Sequence, residues 1–166
     1  MKLRLSLPLF AASLAALCLA GCGKKDAAPA AKAAAAAPAQ GADGILLTGN
    51  DAMKYNLNSI SLKVGEQSKI TLRNIGTMPK VAMGHNLVIL KPGTDVDAFS
   101  VAAAAAQDND YIPAALEGQI LYHTKMLGPK ESATLDVKFD TAGEYPFLCT
   151  FPAHYAVGMK GTISVQ

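Results

Sequence analysis

From residue 44 onward the chain alternates apolar and polar side chains in short bursts. Ile60, Leu62 and Val64 are separated by Ser61 and Lys63, and Ile70 and Leu72 are set among Lys69, Thr71 and Arg73. Leu135, Val137 and Phe139 alternate with Asp136 and Lys138, and Ser164 stands between Ile163 and Val165. A period of two sends successive side chains to opposite faces, so each burst predicts a strand with one buried and one wet face. Turn formers punctuate the bursts at Gly49-Asn50, Gly65, Gly76, Pro92-Gly93, Gly128-Pro129 and Gly143. Seven or eight short strands at this spacing predict an all-β, two-sheet sandwich. One segment breaks the rhythm. Residues 96–107 contain the helix-forming run Ala102–Ala106, and Thr94 or Asp95 can cap its start. It predicts one helix on the outside of the sandwich.

The N-terminus follows another pattern. Lys2 and Arg4 precede an apolar run from Leu5 to Leu19, followed by small residues. A charged start, an apolar stretch and a small-residue cleavage point make residues 1–21 a secretory signal. Leu19-Ala20-Gly21-Cys22 resembles a bacterial lipobox, in which the cysteine is lipidated and becomes the first mature residue. Buried lipid methylenes contribute roughly 0.8 kcal/mol each, so several acyl chains anchor firmly. Gly23, rather than an acidic residue, after the cysteine favours the outer membrane if the host is Gram-negative. Residues 22–43 then read as a lipid-anchored tether. Positions 27–42 hold 11 alanines, with Pro29, Pro38 and Gly41 interrupting them. Such a segment has almost nothing large to bury against its ordering entropy.

Composition narrows the rest. The 166 residues carry a formal charge of +2, but residues 44–166 hold 10 Lys/Arg against 11 Asp/Glu. A near-neutral domain of that size supports one core and has no electrostatic footprint for nucleic acid. Three cysteines, of which only Cys149 lies in the domain, exclude a disulfide scaffold.

The candidate chemistry sits in Cys149-Thr150-Phe151-Pro152-Ala153-His154-Tyr155-Ala156-Val157-Gly158-Met159. The pattern Cys-x4-His-x4-Met puts a thiol, an imidazole and a thioether on one loop. Far upstream, Met83-Gly84-His85-Asn86 leads into an apolar strand, His85–Leu90. Two imidazoles, one thiolate and one weak thioether are the donor set of a blue-copper electron-transfer centre. Soft sulfur donors favour Cu(I) and imidazole supports Cu(II), so little need move when an electron arrives. Taken singly, Cys149 is a buried core thiol, His85 and His154 are ordinary polar residues and Met159 is core filler. Their order and joint spacing carry the copper reading. His123 reads as an exposed strand histidine, and Met78, Met83 and Met126 as packing or surface residues. A catalytic Cys149–His154 pair lacks an orienting partner, structural zinc needs more paired ligands, and a multicopper enzyme needs more than three histidines. The chain is therefore expected not to be an enzyme.

Gly76-Thr77-Met78-Pro79-Lys80-Val81-Ala82-Met83-Gly84-His85-Asn86 is similar to the azurins. So are Tyr122-His123-Thr124-Lys125 and Cys149-Thr150-Phe151-Pro152-Ala153-His154. The resemblance spans residues 44–166, and implies a cupredoxin Greek-key β-sandwich with one helical insertion and one copper ion. It implies His85, Cys149 and His154 as strong ligands, Met159 as the weak axial one, and Gly84 as a backbone carbonyl on the opposite axial side. It also implies an apolar docking patch, here Met78, Val81, Met83, Phe151, Pro152, Ala153 and Val157. Two features depart from azurins. Four residues rather than three separate His154 from Met159, similar to auracyanin and plastocyanin loops, and the disulfide near the domain start is missing.

The resulting expectation is an exported, lipid-anchored carrier facing the periplasm or cell surface. It shuttles single electrons through Cu(I)/Cu(II) between redox proteins such as a c-type cytochrome or a respiratory reductase. The competing readings are a periplasmic copper-binding and delivery protein, or a membrane-tethered interaction module with incidental copper.

Overall fold

The computed structural model describes residues 44–166. The expected signal segment 1–21, Cys22 and the tether 22–43 lie outside the described residues. The strands, in order, are β1 Ile45–Asn50, β2 Lys54–Tyr55, β3 Ser59–Leu62, β4 Gln67–Asn74, β5 Val88–Leu90, β6 Ile120–His123, β7 Ser132–Lys138, β8 Gly143–Leu148 and β9 Lys160–Val165. Helices α1, Lys80–Met83, and α2, Val96–Ala104, flank β5, and two 3₁₀ turns follow α2.

Two sheets form, ordered β2-β1-β4-β7 and β3-β9-β8-β5-β6. β1 runs parallel to β4, with Ile45 opposite Ile70 and Leu47 opposite Leu72. β4 pairs antiparallel with β7, setting Ile70 against Leu135. In the other sheet β3 lies parallel to β9, and β9, β8, β5 and β6 continue antiparallel. Leu47, Ile70, Leu72 and Val137 from one sheet meet Ile60, Ile89, Phe147 and Ile163 from the other in one buried core. Each such side chain, once fully buried, contributes roughly 1.5–3 kcal/mol. The alternation expected from sequence is therefore the inner face of the sandwich.

β5 is the exception, and α2 explains it. All three β5 residues are buried. Ile89 faces the sandwich core, whereas Val88 and Leu90 pack with Phe99 and Ala103 of α2, Ile112 and Leu148. A strand covered on both faces reads as a continuous apolar run.

Several boundaries differ from expectation. Val64 is 41% exposed, because β3 ends at Leu62 and the chain turns through Gly65. Gly49-Asn50 closes β1 rather than forming a turn, which falls at residues 51–53. Residues 85–87 precede β5 instead of belonging to it, with His85 in an isolated bridge to Leu127. Helix α2 is capped as expected, the Asp95 carboxylate accepting from Ala98 N–H at 3.0 Å, but it stops at Ala104. Beyond the buried Ala103 its alanines have nothing to bury, and the last turn tightens as Ala106 N–H bonds Ala103 O at 2.9 Å. β2 and α1 are too short to show a period in sequence. Among the described residues no helix is long and apolar enough to cross a membrane.

Candidate metal centre

The C-terminal end of β8 runs straight into Cys149, and β9 begins directly after Met159. The loop between them closes on itself at its base. Cys149 N–H donates to Met159 O at 3.1 Å, and Met159 N–H donates to His154 O at 2.9 Å. His154 N–H donates in turn to Phe151 O at 3.1 Å. Because β8 and β9 are neighbouring antiparallel strands, the loop's two ends are held at a fixed separation by the sheet.

His85 comes from the other side. Its backbone exchanges hydrogen bonds with Leu127, N–H to O at 3.1 Å and O to N–H at 2.7 Å, just before β5, which pairs with β8. Asn86 then fastens this segment to the loop. Its side-chain amide donates to Thr150 Oγ1 at 2.7 Å, and Thr150 N–H donates to Asn86 Oδ1 at 2.9 Å. Tyr55 donates from its hydroxyl to Asn86 O, so β2 braces the same point.

These constraints bring together residues 64 positions or more apart. One donor atom from each of His85, Cys149 and His154 lies within 4.8 Å of the others. Cys149 Sγ is 3.4 Å from His154 Nδ1, and the two imidazole rings lie 5.0 Å apart, tilted by 46°. All three side chains are buried, as is Met159. Gly49 shows where Met159 lies: a β-carbon there would sit 2.9 Å from Met159 Cε and 3.0 Å from His85 Cδ2. The thioether end and the His85 ring thus share one wall of the site. Gly84 precedes His85 with no room for a side chain, since a β-carbon would fall 2.8 Å from Met126 Cγ.

The electrostatics suit a metal better than a free thiol. Both His85 ring nitrogens are buried without a hydrogen-bond partner, and the one that carries the lone pair of a neutral imidazole is costly to leave bare unless a metal takes it. Burial lowers the pKa of His85. Burial, and then the neighbouring His85, lower that of His154 to about 4. Neutral imidazole is the ligating form. Burial pushes Cys149 up to about 11, while backbone N–H groups of Asn86 and Phe151 pull it back down. Those two donors are ready to support a thiolate once a cation replaces its proton. The soft and borderline donors present fit a single copper ion.

The remaining expected site residues spread around this cluster. Val81 is 88% exposed, and Met78, Ala153 and Val157 are also exposed, while Met83, Phe151 and Pro152 are half-buried. The Phe151 ring lies 4.7 Å from that of His154. His123 ends β6 exposed, as expected, and Met126 is buried against Gly84. Sequence reasoning passed over Gly49 and the Asn86–Thr150 pair. A polar Asn at the mouth of an apolar run was the available signal for the second.

Comparison with known proteins agrees with this geometry. The azurin of Alcaligenes faecalis is 37% identical over 125 residues, covering 73% of this chain and 96% of that protein. Outer membrane protein H.8 of Neisseria meningitidis serogroup B is 37% identical over 176 residues, covering 92% of this chain and 94% of the relative. The reduced auracyanin of Roseiflexus castenholzii superposes with a TM-score of 0.66 at 36% identity, over 75% of this chain and 97% of its own. The family model for copper-binding proteins of the plastocyanin/azurin type matches residues 43–166, the whole of the sandwich just described, and the chain belongs to that family.

Proposed function

We propose that this protein is a lipid-anchored blue-copper electron carrier that passes single electrons between redox proteins and turns over no substrate. The observation that carries the reading is the buried cluster of His85, Cys149 and His154, with donor atoms inside 4.8 Å and two orphaned His85 nitrogens. In this reading those three residues would hold the ion strongly and Met159 weakly, with the Gly84 carbonyl as a further weak donor. The copper ion supplies a Cu(I)/Cu(II) couple.

The chain's own groups do the rest. Cys149 gives up its thiol proton on loading and stays a thiolate, supported by the Asn86 and Phe151 N–H groups. The imidazoles remain neutral through burial. Strands on both sides of the loop keep the donors from rearranging between oxidation states, which keeps electron transfer fast. Burial excludes water. The Phe151 ring lies 4.7 Å from that of His154, and Val81, Met78 and Val157 are exposed. A largely apolar rim of this kind suits brief docking of a c-type cytochrome or a respiratory reductase, whose complexes are small and weak.

The anchor is assigned to Cys22, with the domain in the periplasm or at the cell surface. Similarity to a protein named for the outer membrane over 92% of this chain supports it.

Visible and electron-spin-resonance spectra of the purified protein with added Cu(II) test the assignment. An intense blue thiolate-to-copper band, bleached by ascorbate and restored by oxidant, is expected. Tight Cu(I) binding with no stable Cu(II) form points instead to copper delivery, and colourless metal-bound protein defeats the blue-copper reading.

A further inference from the structure

The stretch between His154 and Met159 is one residue longer than azurin loops, and it is poorly packed. Ala156, Val157 and Gly158 are exposed. A cavity of about 180 Å³, lined by Ser100, Val101, Ala104, Phe151 and Tyr155 among others, separates the loop from α2. A second cavity of about 350 Å³ lies against Tyr155 between Val96, Phe147 and Lys160. The half-buried Tyr155 ring borders both clefts and packs against the buried cluster that contains Phe99 and Leu148.

Three polar contacts add to that packing. The Tyr155 hydroxyl donates to Asp97 Oδ1 at 2.7 Å. The Lys160 ammonium stands 4.0 Å from the centre of the Tyr155 ring, at cation–π distance. On the other flank the Lys54 ammonium of β2 donates to Val157 O. The anchors themselves are rigid. Asp97 lies in the first turn of α2, whose Phe99 is buried against the β5 and β8 residues that lead to the ligands. Lys54 belongs to β2, paired with the end of β1. Meanwhile Met159 N–H bonds back to His154 O at 2.9 Å, so residues 155–158 form a closed turn with His154 and Met159 at its two ends.

We propose that Asp97 and Lys54 are positioning residues that clasp the lengthened His154–Met159 loop from two sides and thereby set where the Met159 thioether sits relative to His85, Cys149 and His154. The proposal rests on Met159 being the weak ligand, because a weak axial donor is the one whose distance tunes such a centre. Cys149 follows β8 directly and His85 is bonded to Leu127, whereas His154 and Met159 stand at the two ends of the clasped stretch.

The test compares copper-loaded full-length Asp97→Ala, Tyr155→Phe and Lys54→Ala with wild type and with Asp97→Asn, whose amide oxygen still accepts from Tyr155. Three quantities are read: the intensity ratio of the two thiolate-to-copper bands, the rhombicity of the spin-resonance signal, and amide exchange at residues 157–159 in the metal-free protein. Expected are a shifted band ratio and rhombicity in the three disrupting variants, and exchange faster by roughly an order of magnitude. Asp97→Asn is expected to stay near wild type on all three. Spectra and exchange indistinguishable from wild type overturn the clasp, even if the variants melt earlier, since that is a structural contact alone. Faster exchange with unchanged spectra shows a clasp that does not reach Met159 and overturns the positioning role. A wild type that never turns blue defeats the ligand assignment itself, before any variant is compared.

Discussion

Gly49 shows how narrowly single residues shape the centre. Its missing side chain lets the Met159 methyl and the His85 ring approach the same point from two segments, and a β-carbon would stand 2.9 Å from one and 3.0 Å from the other. Gly49→Ala is expected to cost about 1–3 kcal/mol by overpacking and to alter the copper spectrum, as chemical denaturation and absorbance would reveal. The titrating ligands make a second prediction at this scale. In the metal-free protein His154 protonates only near pH 4, against an ordinary 6.5. The unfolded chain therefore takes up that proton first as pH falls. Stability present above about pH 6.5 is then lost progressively toward pH 4, by about 1–3 kcal/mol. Cys149 acts oppositely, its thiol raised from 9.0 to about 11, so its contribution is present below about pH 9 and is lost as pH rises toward 11. Denaturant titrations of copper-free protein across this range should give a plateau between those limits; a profile level from pH 4 to 9 contradicts the assignment.

Among elements, the coupling of the β5 approach to the ligand loop matters most. Asn86 holds Thr150 through two bonds of 2.7 and 2.9 Å, joining the His85 segment to Cys149 across a buried seam. Asn86→Ala leaves the buried Thr150 N–H and hydroxyl without partners, at about 1–3 kcal/mol, and frees the two segments to drift. A lower unfolding midpoint together with a displaced thiolate-to-copper band is expected. Helix α2 contributes differently. Phe99 is fully buried against Val88, Leu90 and Leu148, and Phe99→Ala is expected to cost about 3–5 kcal/mol, measured as a shift in denaturant midpoint. The helix is thus a second core on the outer face of the β5 sheet, and its Asp97 reaches the ligand loop from that footing.

At the scale of the whole molecule, the ligands gather at the end of the sandwich where β1 closes, with Gly49 against Met159 and His85. In the proposed role a partner docks at the ligand end, where Val81 is 88% exposed. Val81→Glu is expected to slow electron exchange with redox partners at least about tenfold, a loss of about 1.4 kcal/mol of docking, with the copper spectrum unchanged. Stopped-flow kinetics with a reduced c-type cytochrome measure it; an unaltered rate removes Val81 from the docking rim. Cys22→Ser should move the protein from the membrane to the soluble fraction, read by fractionation and by the mass of the mature N-terminus. Legibility also varied with scale. Period-two alternation revealed the inner faces of β3, β4, β7 and β9, because burial on one side is a local constraint written into every second residue. It misjudged Val64, where the strand had already ended and no local residue said so.

Sequence alone determined the chemistry on offer: the Cys149, His154 and Met159 donors share one loop, so their spacing is covalent and visible in the primary chain. It also determined the sandwich class, through alternation and turn residues. The motif around His85 also singled out the second histidine, but how far apart the donors stand and what braces them were decided only in three dimensions. Asn86–Thr150, Gly49 against Met159 and Asp97–Tyr155 join residues that are remote along the chain. Contacts of this kind leave no period or spacing in the sequence, because their energy comes from burial and hydrogen bonding that exist only after the two sheets have packed.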